Sequence, residues 1–402
     1  MSLALTRRSL LAVAGAGLTV DLLATPVFAA ADGELQKKKL VVVICRGAMD
    51  GLSVTPPVGD PDYAALRGEI AIPAVGQPGG ALKLDDTFGL HPKLVAVSRI
   101  AAAGQLRIAP AAATPDRARS HFEGQDVLES GAPGAYGTTS GWLNRAVQAL
   151  GPARKVEAIS VGAEAPLILR GKLMTASWSP GKPLSENARL LQVLGDLYAH
   201  DPVLGPALAS GLQTEDMAKT AMGMTPEAVN NAGVARSMGE TLGRMMIEPG
   251  GPSIAAVSLD GFDTHANQGA AEGVLAGRLN MLDTALDGLV TGLGPAWKDT
   301  VVVVATEFGR TAHVNGTRGT DHGTASTVLL LGGALKPSGL VGDWPGLKPQ
   351  ALFESRDLYP ATDMRSVFKG VLQEHFGLDR KALDTLVFPD SGKAAPVAGI
   401  VA

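Results

Sequence analysis

The sequence predicts an α/β protein built on a doubly wound, mostly parallel sheet with helices on both faces. Two observations carry that prediction. Apolar, β-branched runs recur along the chain, from Leu40-Val41-Val42-Val43-Ile44-Cys45 to 106–109, Ala158–Val161, Ile254–Leu259, 301–305 and 327–331. Runs without polar alternation suit strands buried on both faces. Between them lie stretches whose apolar residues recur at helical spacing, and this alternation implies a helix-covered sheet. In such a fold ligands gather at the carboxyl ends of the strands.

Taken in order, the chain opens with Thr6-Arg7-Arg8-Ser9-Leu10-Leu11, a mildly apolar stretch to Val20, and Ala29-Ala30-Ala31. Paired arginines, a short apolar run and small residues describe a twin-arginine export signal over residues 1–30. Asp21 and Pro26 interrupt the run, which falls short of the ~20 apolar residues a membrane span needs. The expected product is a single domain over 31–402, periplasmic or secreted, whose first partner is the twin-arginine export machinery. It makes no stable membrane insertion.

The first strand breaks at Arg46-Gly47-Ala48-Met49-Asp50-Gly51, and the Pro- and Gly-rich stretch 53–92 reads as an excursion over its tip. A helix follows around Leu94, Val97 and Ile100. Ser120 stands before another, with Glu123 placed to complete a capping box. Residues 163–250 depart from the α/β plan and read as an inserted cap, with short strands at 167–169 and 174–178. Its polar helices carry Met217, Met222, Met224, Met245 and Met246, which read as core filler. Leu279, Leu282, Leu286 and Leu289 mark a further helix. The segment 362–376 reads as a helix opened by Thr362 or Asp363. The tail, 380–402, reads as poorly ordered.

Composition excludes several classes of function. A net charge of −4 and an aromatic content of 4% leave no electrostatic footprint for nucleic acid. Cys45 is the sole cysteine, which rules out an intramolecular disulfide and a zinc site built on several thiolates.

The residues able to carry chemistry cluster between Ser258 and Ser326. Asp263 and His265, two apart on an extended segment, point the same way. Glu307 follows a strand tip. Asp321 and His322 are adjacent and share a site only if a turn splays them, which Gly319 and Gly323 allow. Carboxylates and imidazoles at neighbouring strand ends make a divalent-cation site. The bland alternative is a set of loop carboxylates capping helices and forming surface ion pairs. Mixed oxygen and nitrogen donors suit one or two ions of zinc or manganese, with calcium or magnesium fitting less well.

Asp50 is either a turn residue or a further ligand. Ser120 is either a helix cap or a nucleophile beside exposed backbone N–H groups. Arg46 and Arg310, each after a strand tip, can pair with a phosphate, sulfate or carboxylate, or simply be solvated. His91 and His313 are candidates to support the ligands, whereas His200 and His375 lie on helices.

The set Arg46-Gly47-Ala48-Met49-Asp50-Gly51, Arg119-Ser120-His121-Phe122, Phe262-Asp263-Thr264-His265, Thr306-Glu307-Phe308-Gly309-Arg310 and Thr320-Asp321-His322-Gly323 resembles a widespread, uncharacterised bacterial family exported by the twin-arginine route. That family is related to the alkaline phosphatase and sulfatase superfamily. The resemblance spans Leu40 to about Phe376. It implies an alkaline-phosphatase-like fold, two divalent metals, and hydrolysis of phosphate or sulfate esters, small or polymeric. It matches Ser120 to the nucleophile, Asp263 and His265 to an acid–histidine ligand segment, and His322 to a late histidine ligand. Three positions depart from the superfamily pattern. Arg46 stands where an Asp is usual, Phe308 replaces a histidine ligand, and the spacing of Asp263 and His265 is short. Phe308 motivates the alternative of a catalytically inactive phosphatase-fold protein acting in binding or assembly in the cell envelope.

Overall fold

The run Lys39–Cys45 forms the central strand, β1, because its side chains alternate between two apolar cores. Val41, Val43 and Cys45 enter one core, while Leu40, Val42 and Ile44 enter the other. Beyond Lys39 the strand has no polar side chain to turn towards water, so it is stable only between two covering layers. The computed structural model describes residues 34–151, 157–162, 165–179, 204–222, 232–337 and 339–402, with isolated positions 191, 194, 197, 198 and 201. The export signal over 1–30, His200, Met224 and parts of the 163–250 insertion fall outside the described residues.

Apart from Leu82–Lys83 and Gly89–Leu90, which pair separately, the other strands belong to the sheet of β1: β2 (Leu106–Ala113), β3 (Ala158–Val161), β4 (Ala176–Trp178), β5 (Ile254–Leu259), β6 (Thr300–Ala305), β7 (Ser326–Leu331), β8 (Gly339–Leu340) and β9 (Thr362–Asp363). They pair in the order β8–β2–β7–β6–β1–β5–β3–β4, with β9 also on β2. All pairings in this sheet are parallel except those of β7, which runs against both β2 and β6. The sheet is therefore mixed but mostly parallel, with the single reversed strand inside it.

Helices cover both faces. One core takes α1 (Val95–Ala102), α5 (Ala232–Ile247) and α6 (Val274–Leu293). The other takes α3 (Trp142–Leu150) and α7 (Met364–Phe376). Between them in the chain lie α2 (His121–Ser130) and α4 (Leu204–Met222). Met238, Met245 and Met246 of α5 are buried, and Met217 of α4 packs partly against them. Asp363 caps α7, accepting the Arg365 N–H at 2.9 Å. No helix among the described residues is long and apolar enough to cross a membrane.

Two sequence expectations are corrected here. The 167–169 segment is a single 3₁₀ turn rather than a strand. The 380–402 tail is packed rather than poorly ordered: Val401 bridges Leu335, and Ile400 is buried. The Glu374 carboxylate accepts the N–H groups of Ile400 and Val401, each at 2.7 Å. The sequence concealed this because the tail's few apolar residues are isolated ones that fill gaps in an existing core.

Strand register fixes where the functional residues meet. Cys45 lies opposite Leu259, and Ile44 opposite Ala305. The segments after β1, β5 and β6 thus leave the sheet side by side. Because β7 runs antiparallel, its beginning lies at the same edge, and the 306–325 excursion starts and finishes there. Within it Arg310 and His322 form an antiparallel bridge.

Candidate metal centre

Five segments converge at this edge. His121, first residue of α2, meets Asp263 from beyond β5 and His322 from ahead of β7. Their ligand atoms all lie within 4.8 Å of one another, the only such group among the described residues. His265 joins them: its Nε2 is 3.1 Å from Asp263 Oδ1 and 3.1 Å from His322 Nε2.

The backbone packs tightly beneath these side chains. At Gly47 (φ +107°) a Cβ would lie 2.6 Å from the Asp263 nitrogen, so any larger residue would push the Asp263 segment away. At Gly319 a Cβ would lie 2.4 Å from the His265 carbonyl, which explains a glycine in the turn ahead of Asp321 and His322.

Each imidazole is fixed at its far nitrogen. His121 Nδ1 donates to Glu307 Oε1 at 2.8 Å, and His322 Nδ1 donates to the Arg119 carbonyl at 2.8 Å. Neither a carboxylate nor a carbonyl can donate, so both rings carry a proton on Nδ1 and turn Nε2 towards the centre, where it offers a lone pair in the neutral ring. His265 Nδ1 faces Asp321 Oδ1 at 3.3 Å, which favours the same tautomer. Two imidazole lone pairs 3.1 Å apart repel unless a proton or cation lies between them. His121 Nε2 is buried and makes no hydrogen bond. It faces Asp263 Oδ2 at 3.4 Å, and a buried nitrogen and a carboxylate that converge without a hydrogen bond fit a resident cation.

The ionisation of the site agrees with this at Asp263 and His322, whereas at His121 a cation would have to displace a proton. The Glu307 hydrogen bond raises the His121 pKa, against burial. Burial lowers that of His322, only partly opposed by the Arg119 carbonyl. Burial works against the Asp263 carboxylate, yet the Arg310 hydrogen bond and charge, with His265 and His121, hold it below the usual carboxylate range. The outcome is an ionised Asp263 beside a His322 inclined to be neutral, the protonation states a metal requires.

Several sequence-proposed residues take other roles. Glu307 is fully buried. Besides His121 it accepts the Gly47 N–H at 2.8 Å, Gln125 Nε2 at 3.2 Å and the Thr306 hydroxyl at 2.9 Å, so it orients His121 rather than offering an oxygen to the centre. Arg310 is buried, donating to Asp263 Oδ1 at 2.6 Å and to Thr320 Oγ1 and carbonyl at 3.1 and 2.6 Å. It anchors Asp263 and has no surface for an outside anion.

Arg46 pairs with Glu129 at 2.6 Å and Gln125 at 2.8 Å rather than reaching the centre. Asp50 is buried against Arg67, with Gln268 Nε2 at 2.6 Å and Ser53 Oγ at 2.8 Å, and is not among the converging donors. Ser120 occupies the N-cap position of α2, but its hydroxyl bonds the Glu123 carboxylate instead of a backbone N–H, so the reciprocal capping box does not form. Asp321 stays half exposed, held by Asn315 Nδ2 at 3.0 Å. His91 is buried away from the centre, against the Ala270 carbonyl at 3.0 Å.

His121 was missed in the sequence. Its only signal was its place between Ser120 and Phe122 in a motif read for its hydroxyl. Phe308 stacks on His121 at 5.1 Å and tilts against His322 at 5.0 Å between ring centroids, supporting both imidazoles.

Comparison with known families matches residues 37–387 to the family described as "Protein of unknown function (DUF1501)". No curated protein matches. Among solved structures, Ps i-CgsB in complex with k-i-k-neocarrahexaose is similar at 9% identity and TM-score 0.43, over 89% of this chain and 77% of that one. The Zn complex of the C-terminal periplasmic domain of EcEptC from Escherichia coli aligns at 12% identity and TM-score 0.32, over 73% and 72%. The lipoteichoic acid synthase LtaP from Listeria monocytogenes aligns at 8% identity and TM-score 0.39, over 88% and 76%.

Proposed function

This chain is a member of the DUF1501 family, and we propose that it is an exported, metal-dependent hydrolase of phosphate or sulfate esters. The observation carrying this reading is the convergence of His121, Asp263 and His322, with His265 beside them, on one spot where the buried His121 Nε2 makes no hydrogen bond and faces Asp263 Oδ2 at 3.4 Å. His121, Asp263 and His322 would hold the ion and leave a further position open for an ester oxygen. Two imidazoles and a carboxylate suit zinc first and manganese second. When bound, the ion would act as a Lewis acid, polarising an ester oxygen and offsetting charge that builds on it.

The chain's own residues supply the rest. Glu307 and the Arg119 carbonyl hold two ring nitrogens in the donor tautomer, and Arg310 fixes the Asp263 carboxylate. His265, half exposed and backed by Asp321, is the group placed to move a proton between Nε2 and solvent.

A second reading, metal-dependent binding without turnover, draws support from Ser120, whose hydroxyl is taken by Glu123, and from the engagement of Arg46 and Arg310. One experiment separates the two. The purified protein is stripped with a chelator, reloaded with zinc or manganese, and assayed on aryl phosphates and aryl sulfates. Hydrolysis that returns with metal, and is lost in His121→Ala and His322→Ala, supports the hydrolase. A fully metal-loaded protein inert on both ester classes refutes it in favour of binding.

A further inference from the structure

A cavity of about 590 Å³ opens beside the metal centre, at the carboxyl ends of β1, β5 and β3. The size lies within the ~300–1,000 Å³ of small-molecule sites. We infer that this cavity binds a neutral saccharide, the organic portion of the ester that the metal centre would cleave. Its role as part of a substrate rests on the hydrolase reading; the binding itself does not.

The floor is rigid and polar. Arg46 donates to Gln125 Oε1 at 2.8 Å and Ser258 Oγ at 3.3 Å, and pairs with Glu129 at 2.6 Å. Gln125 Nε2 in turn donates to Glu307 Oε1 at 3.2 Å, and Glu307 holds His121. Cavity and centre thus share one hydrogen-bonded wall. A ligand on this floor would stand next to the converging imidazoles.

Two aromatic side chains line the cavity while remaining open to solvent: Phe122 is 82% exposed and Tyr136 68% exposed. Phe122 directly follows His121, so the same helix start carries a metal donor and an aromatic face. Tyr136 has φ +59°, and its N–H is gripped by Asp126 Oδ1 at 2.6 Å. A bulky residue in the left-handed region is strained, and such strain persists where surrounding structure holds it for a purpose. Glycine would relieve it; the chain keeps a phenol ring on the cavity instead.

The charge of the lining selects the ligand class. The ionisable lining groups are the cations Arg46 and Arg170 and the anions Asp126, Glu129 and Asp260, one negative charge in excess. That balance repels a nucleotide or a second phosphate. Side chains of both signs beside two aromatic faces suit a ring with hydroxyls at its edge and C–H groups on its faces. Extended peptides are captured mainly along open sheet edges, whereas this cavity lies over strand ends.

The test is ligand-observed saturation-transfer NMR on the full chain. The probes are cellotriose, maltotriose, chitotriose, mannotriose and galactotriose, with tetra-alanine and AMP as the competing classes. At least one trisaccharide should bind, and its affinity should fall at least tenfold in both Phe122→Ala and Tyr136→Gly. Phe122 is a surface side chain and glycine suits φ +59°, so both variants should fold, as a thermal melt verifies. His322→Ala should abolish zinc uptake and leave saccharide binding intact, so failure of the hydrolase reading remains distinct. Binding of no trisaccharide, equal binding by both variants, or binding of tetra-alanine or AMP alone would overturn the inference.

Discussion

Replacing Glu307 by Gln tests whether a buried carboxylate governs the metal centre through His121. Glu307 Oε1 accepts the Gly47 N–H and His121 Nδ1, each at 2.8 Å, while Oε2 accepts the Thr306 hydroxyl at 2.9 Å. In the amide the oxygen can keep the first two bonds, and the new NH₂ can donate to Thr306 Oγ1. The single proton of that hydroxyl has Glu307 Oε2 and the Cys45 carbonyl, at 2.7 Å, as native acceptors and would then go to Cys45 alone. The shape and most bonds survive; the negative charge does not. Bonds to charged acceptors are worth ~1.5–3 kcal/mol against ~0.5–1.5 for neutral ones, and release from burying a charge offsets part of the loss. Folding stability should therefore change by no more than about 2 kcal/mol. Metal affinity should change more in proportion, because removing the carboxylate behind a ligating imidazole typically costs ~10–100-fold, or about 1.4–2.7 kcal/mol. Competition against a chromophoric zinc chelator measures it, with His121→Ala as the more severe control. Zinc affinity within twofold of wild type in a folded Glu307→Gln protein would refute the reasoning.

Three further outcomes are expected. Asp50→Ala strands the buried Arg67 guanidinium and should cost roughly 3–5 kcal/mol in urea denaturation; zinc stoichiometry should stay unchanged, because Asp50 is no ligand. Gly319→Ala drives a Cβ to 2.4 Å from the His265 carbonyl and should lose about 1–3 kcal/mol of stability together with zinc affinity; a variant matching wild type in both would contradict the packing described. Burial lowers the His375 pKa to about 4 from an unfolded value of 6.5. Its contribution is complete above pH 6.5 and is lost as pH falls towards 4, by about 3 kcal/mol; the urea midpoint should drop over this window in wild type and less in His375→Gln.

The strands were legible because their apolar runs are unbroken, and the strand-end position of Asp263, His265, Asp321 and His322 followed from them. The structure brings those four residues together with His121. What stayed hidden was direction. A carboxylate after a strand tip can face the cavity or the interior, and no pattern in Thr306-Glu307-Phe308 says that Glu307 turns inward to meet Gly47. Arg310 and Asp50 were obscured in the same way, since their partners Asp263 and Arg67 are set by tertiary packing. The reversal of β7 was equally invisible, because a strand buried on both faces reads alike in either direction.

The reversal of β7 has a consequence for how the site can change. Arg310 and His322 face each other across the neck of the 306–325 excursion, and the Thr311 N–H bonds the Asp321 carbonyl at 2.9 Å. The ligand-bearing stretch is thus zipped at its base like a drawstring bag. The far bend is laced to the centre as well: Asn315 Nδ2 donates to the His265 carbonyl at 2.9 Å, and the Thr317 hydroxyl donates to the same oxygen at 2.6 Å. A change at the bend would therefore be felt at His265 first, while the knot at the neck keeps His322 in its place.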